Sequence, residues 1–182
     1  MRKKTLVKIN ILTLITFTLL TVLISCDKNV EYIELTEGRS MDPRAPRYGI
    51  KITNEDDAYL CIEKMASKEG SFALGYHTGK YEFYKSKEKI NFSEVQSKIL
   101  INYSKPVKKV KIVDATFENI TFKFDKNIHS DFFYYSQLNS EQRETHDEIW
   151  KLKNSLEFEK TDSVYFNQNL LQEKLPEPPL SY

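Results

Sequence analysis

The sequence predicts an α+β domain, an antiparallel sheet built from hairpins with two main helices packed on one face. Three observations predict it. Alternating apolar and polar runs come in adjoining pairs, and two longer segments carry an apolar stripe at helical spacing. Of the 182 residues, 22 are Phe or Tyr and only 11 are Gly or Pro, a composition that excludes a disordered or collagen-like chain and supplies a packed core. No stretch repeats at a fixed period, which argues against a solenoid or propeller.

The elements follow in order. Tyr48 to Thr53 alternates with Ile50 and Ile52 on one face, Asn54-Glu55-Asp56-Asp57 turns, and Ala58 to Lys64 alternates again with Leu60 and Ile62 inward, so the pair reads as a hairpin. Phe72 to Tyr76 and Lys80 to Tyr84 flank His77-Thr78-Gly79, which reads as a second hairpin with Gly in the left-handed position. Ser93-Glu94-Val95-Gln96 fits a capping box, and Phe92, Val95, Ile99 and Tyr103 form a helical stripe that ends at Ser104-Lys105-Pro106. Val107 to Val113 and Thr116 to Phe124 are rich in β-formers around an Asp114-Ala115 turn, giving a third hairpin. A last helix starts near Ser140, with Glu141 and Glu144 at the positive end of its dipole and Ile149, Leu152 and Leu156 as its apolar stripe. A short strand is expected at Ser163 to Phe166.

The two ends read differently from the middle. Residues 27–47 are polar, with Gly38, Pro43 and Pro46, and read as a tether ahead of a single domain over 48–170. Residues 171–182 hold three of the six prolines and read as an extended tail. At the N-terminus, Arg2, Lys3, Lys4 and Lys8 precede eleven apolar residues between Ile9 and Ile24, interrupted only by Asn10 and four threonines. That is the layout of a secretory signal, too short and too threonine-rich for a membrane span.

Leu23-Ile24-Ser25-Cys26 closes that run and resembles the lipobox of bacterial lipoproteins. The resemblance implies cleavage after residue 25 and a mature chain that begins at a lipidated Cys26. Several acyl chains on one Cys make attachment effectively permanent. Removing residues 1–25 takes away four basic residues and leaves 23 against 26 acidic, so the mature chain is mildly acidic. The implied location is the cell envelope, anchored to the inner or outer membrane with the domain facing the periplasm. Asp27 resembles an inner-membrane retention signal under a sorting rule that only some Gram-negative groups follow, which leaves the choice of membrane open. The order of hairpins and helices behind the lipobox is similar to small uncharacterised Gram-negative envelope lipoproteins, and that resemblance implies no activity.

Catalytic chemistry is sparsely signalled. His77, His129 and His146 are widely spaced, without the close pair that zinc sites commonly use, so no metal is expected. His146 reads as a partly buried helix residue next to Trp150. No G-x-S-x-G, G-x-G-x-x-G or P-loop spacing occurs, so no catalytic residue and no cofactor is named. Cys61 lies in an alternating strand and reads as a structural thiol, while a near-neutral charge gives no argument for nucleic acid. Lys105, Lys108, Lys109 and Lys111 read as protection of an exposed sheet edge.

Phe132-Phe133-Tyr134-Tyr135 is the most unusual feature, because four consecutive aromatics cannot all face one way in a strand or helix. Some must reach the surface, and these four residues are the candidate binding surface for an envelope protein or glycan. The function expected from the residues is a membrane-anchored, non-catalytic binding module that engages a protein partner or glycan or neutralises a toxin. The alternative is a small envelope hydrolase, which requires carboxylates or a His converging with perturbed pKa values.

Overall fold

The computed structural model describes residues 30–38, 45–66, 76–103, 105–108, 117–124, 127–166 and 171. Seven strands form one antiparallel sheet: β1 (Val30–Glu37), β2 (Tyr48–Thr53), β3 (Ala58–Ala66), β4 (Tyr76–Ser86), β5 (Phe117–Phe124), β6 (Asn127–Tyr134) and β7 (Phe158–Thr161). Their order across the sheet is β6-β5-β1-β2-β3-β4-β7. Two helices, α1 (Phe92–Asn102) and α2 (Ser140–Ser155), pack on one face, as the sequence predicts.

Alternation builds the core. Ile33 and Leu35 of β1 lie opposite Ile52 and Ile50 of β2 and opposite Phe122 and Ile120 of β5, so these six residues share the face under the helices. They meet Phe92 and Ile99 of α1, Ile149 of α2 and Phe133 of β6 in one cluster. Each helix begins at an asparagine. Asn91 accepts a hydrogen bond from Glu94 N, two positions before the expected cap at Ser93, and Asn139 forms a reciprocal capping box with Gln142.

Several expectations are corrected. The first half of the expected tether contains β1, a central strand of the sheet, because Val30, Ile33 and Leu35 reach the core despite the glutamates between them. His77-Thr78-Gly79 is no turn: β4 runs straight through it, and Gly79 (φ 66°) lies beside a register shift that puts a bulge between β3 and β4. Residues 72–75, the other arm of that expected hairpin, lie outside the described residues, as do most of Val107 to Val113 and the lipobox. The expected third hairpin does not form, since β5 pairs with β1 on one side and on the other with β6, the strand that carries Phe132 to Tyr134. The last strand forms at Phe158–Thr161 against β4 instead of at Ser163 to Phe166. Residues beyond it instead cover the face away from the helices, where Phe166 and Leu171 pack on the fully buried Cys61.

Candidate functional site

One row of side chains crosses the helix-facing side near the end of the sheet at which β1 finishes. Strand to strand it reads Phe133, Glu118, Glu37, Tyr48 and Ile62, each directly opposite the next. Helix α2 lies over this row and projects His146, Trp150 and Lys153 from successive turns. Six of these eight are polar or titratable, an unusual composition between a sheet and the helix that covers it.

His146 is 5% exposed and sits between two carboxylates, with Nε2 at 2.6 Å from Glu118 Oε2 and Nδ1 at 2.9 Å from Asp147 Oδ1. Burial alone would lower its pKa, but the hydrogen bond and charge of Glu118, followed by those of Asp147, override it and raise the value. Both ring nitrogens thus face carboxylates, which favours the charged form of the ring. Trp150 Nε1 lies 3.1 Å from Glu118 Oε2 and donates to the same carboxylate. Tyr135 donates to Asp147 Oδ2 at 2.9 Å, and its ring meets the His146 ring edge-on at 5.0 Å. That phenol is harder to ionise because of its bond to Asp147.

Beside this closed group lies a more open one. Glu37 is half-buried, and desolvation followed by the neighbouring Glu118 charge raises its pKa against the opposing pull of Lys153 and His146. The Lys153 ammonium stands 3.5 Å from the centroid of the Tyr48 ring and 6.0 Å from that of Trp150. Desolvation lowers the pKa of Lys153 in spite of Glu37, and desolvation with the Glu37 charge raises that of Tyr48.

The candidate aromatics divide between two faces and the rim. Phe133 is fully buried and belongs to the core, which removes it from the binding surface. Phe132 and Tyr134 point to the opposite face, half-buried, with Phe117 stacked on Phe132 at 5.7 Å and tilted against Tyr134 at 5.1 Å. Tyr135 opens a single 3-10 turn, Tyr135–Gln137, and is 39% exposed at the rim of the His146 group. No family model, curated protein or solved structure matches this chain.

Sequence reasoning placed His146 beside Trp150 but missed Glu37, Tyr48, Glu118 and Lys153. A signal for the first two existed only in strand register, since their pairing depends on β1 being a strand. Other titratable groups sit elsewhere. Glu63 accepts from Arg47 Nε at 2.8 Å and Nη2 at 2.7 Å, from Gly79 N at 2.8 Å, and contacts His77 Nδ1 at 2.8 Å. Burial pushes Glu63 up, yet Arg47 and the other donors hold it at about 2. This is a structural clamp across the β3–β4 bulge, with no vacancy for a ligand on the carboxylate. A cleft of about 220 Å³ between the helices is lined by Val95, Lys98, Glu148, Ile149 and Leu152 among others, and none of the row residues lines it. Among the described residues, no group of three or more His, Cys, Asp or Glu is placed to hold a metal ion.

Proposed function

We propose that this chain is a membrane-anchored envelope lipoprotein, lipidated at Cys26, whose α+β domain binds an envelope partner through the end of the sheet where Tyr135, Trp150, Tyr48 and Glu37 come together. The lipobox resemblance of Leu23-Ile24-Ser25-Cys26 supports the anchor. The observation that carries the binding reading is the way the His146 group is committed. Both imidazole nitrogens are occupied by carboxylates and the ring is 5% exposed, while aromatic surface and a half-buried carboxylate stand beside it. A general base needs a ring nitrogen within reach of substrate, and here both nitrogens of a buried ring already face the protein's own carboxylates.

One observation favours the hydrolase reading as a second. Glu37 and Glu118 are direct cross-strand partners, and burial together with the Glu118 charge raises the pKa of Glu37, the direction in which paired catalytic carboxyls are pushed apart.

Two experiments test the reading. Cys26→Ala is expected to release the protein from the membrane fraction or leave it as a precursor, and mass spectrometry finding an unmodified mature Cys26 peptide overturns the anchor. Tyr135→Ala is expected to leave folding intact and to lower recovery of envelope partners in a pull-down, by more than ~1 kcal/mol in affinity. Unchanged recovery removes this surface from the binding site, and loss of a hydrolytic activity in Glu37→Gln with unchanged partner recovery turns the assignment to the enzyme.

A further inference from the structure

We propose that Tyr48, Trp150 and Glu37 form a recognition site for an alkylammonium group, and that the protein's own Lys153 ammonium occupies it as a displaceable plug. This rests on the binding reading above and names the ligand chemistry at that same end of the sheet.

The parts of such a site are in place. A cation is held on a ring face by the negative face of the aromatic quadrupole, and is held better where water is partly excluded and a carboxylate stands near. Tyr48 offers its face at 3.5 Å to the Lys153 ammonium, and Trp150 offers a second ring at 6.0 Å from the same atom. Glu37, the cross-strand neighbour of Tyr48, supplies the negative charge. Three elements contribute: β1 gives Glu37, β2 gives Tyr48 and α2 gives Trp150 and Lys153.

Each part is fixed by something other than Lys153. The Trp150 indole is held by its hydrogen bond to Glu118, which His146 also grips. The β1–β2 and β1–β5 ladders hold the backbone from which Glu37 and Tyr48 project. Lys153, by contrast, lies in the last turn of α2 and reaches the site on a flexible four-carbon stem. The plug is thus its least rigid part, so withdrawing it leaves the site standing. Desolvation without full pairing also makes the plug a modest gain to the fold, which is why an incoming cation can replace it.

Trp150 is the chain's single tryptophan, so its fluorescence reads this site alone. The full chain, purified in detergent, is titrated with tetramethylammonium, with n-butylammonium and with the neutral isostere neopentyl alcohol. Lys153→Ala is expected to bind at least one of the two cations roughly tenfold more tightly than the unsubstituted protein, the order of one desolvated cation–π contact. Adding Glu37→Gln is expected to reverse most of that gain. A stronger response to the primary amine points to a lysine-like group, and a stronger response to the quaternary ion to a methylated one. Lys153→Gln, neutral and nearly as long, is expected to shift affinity in the same direction and serves if the alanine variant does not fold. Equal titrations for all variants, or an equal response to the neutral isostere, overturn the proposal. Pull-down of partners through Tyr135 is scored separately, so this inference can fail while the binding reading stands.

Discussion

His146 concentrates the electrostatic risk of the fold in one side chain. Glu118 is 5% exposed, and its hydrogen bonds from His146 and Trp150 make its burial tolerable. His146→Ala strips away the charged partner and is expected to cost about 3 to 5 kcal/mol in urea denaturation, the range for a buried charge left uncompensated. The pH dependence has a definite sign. Because the folded-state pKa of His146 lies above its ordinary value near 6.5, its contribution is fully present below about pH 6.5 and is lost as pH rises through the folded value. Glu63 acts in the other direction. Held at about 2, it stabilises the fold above its ordinary value near 4.3 and loses that contribution as pH falls toward 2. Denaturation midpoints measured across pH are expected to drop on the alkaline side in the parent protein and not in a folded His146→Gln variant. Removal of Arg47, itself 2% exposed, or of Glu63 is expected to be comparably costly.

At the scale of elements, two glycines make opposite predictions. A Cβ at Gly49 in β2 would stand 2.7 Å from Cys61 Sγ, 2.9 Å from Thr36 Cγ2 and 3.1 Å from Phe166 Cε1, so Gly49→Ala is expected to cost about 1 to 3 kcal/mol by overpacking. Gly79 has open space around its Cβ position but φ of +66°, so Gly79→Ala is expected to cost only about 1 kcal/mol of backbone strain. Urea midpoints of the two variants check the ranking. The same contrast explains what was legible in the sequence. The helices were, because Phe92, Val95 and Ile99, and Ile149 and Leu152, recur at helical spacing whatever surrounds them. The first hairpin was, because its alternation is clean. β1 was obscured by Glu31, Glu34 and Glu37, the last of which turned out to matter most. β6 was obscured because Asn127 to Ser130 are exposed and, apart from Ile128, polar, as suits an edge strand, leaving the aromatics behind them looking like a separate feature. Gly79 suggested a turn, but a left-handed residue serves a bulge equally well. The site itself was only partly legible, since four of its residues meet through register and helix packing that no local pattern records.

For the whole molecule, the place of β1 alters what the proposed anchor does. Val30 follows Cys26 by four positions, and a chain segment of that length spans at most roughly 14 Å when fully drawn out. If Cys26 carries the lipid as proposed, the domain has almost no leash and stands on the bilayer by the Val30 end of the sheet, alongside the Asn54 to Asp57 turn. The eight residues of β1 then act as a strut of about 25 Å, with Glu37, Tyr48 and Tyr135 at its upper end. On that proposal the posture holds the Lys153 ammonium at the far end of the strut, clear of headgroups in the membrane that carries the anchor. A cation that displaces it under the same proposal comes from the aqueous side and not from the lipid on which the domain stands.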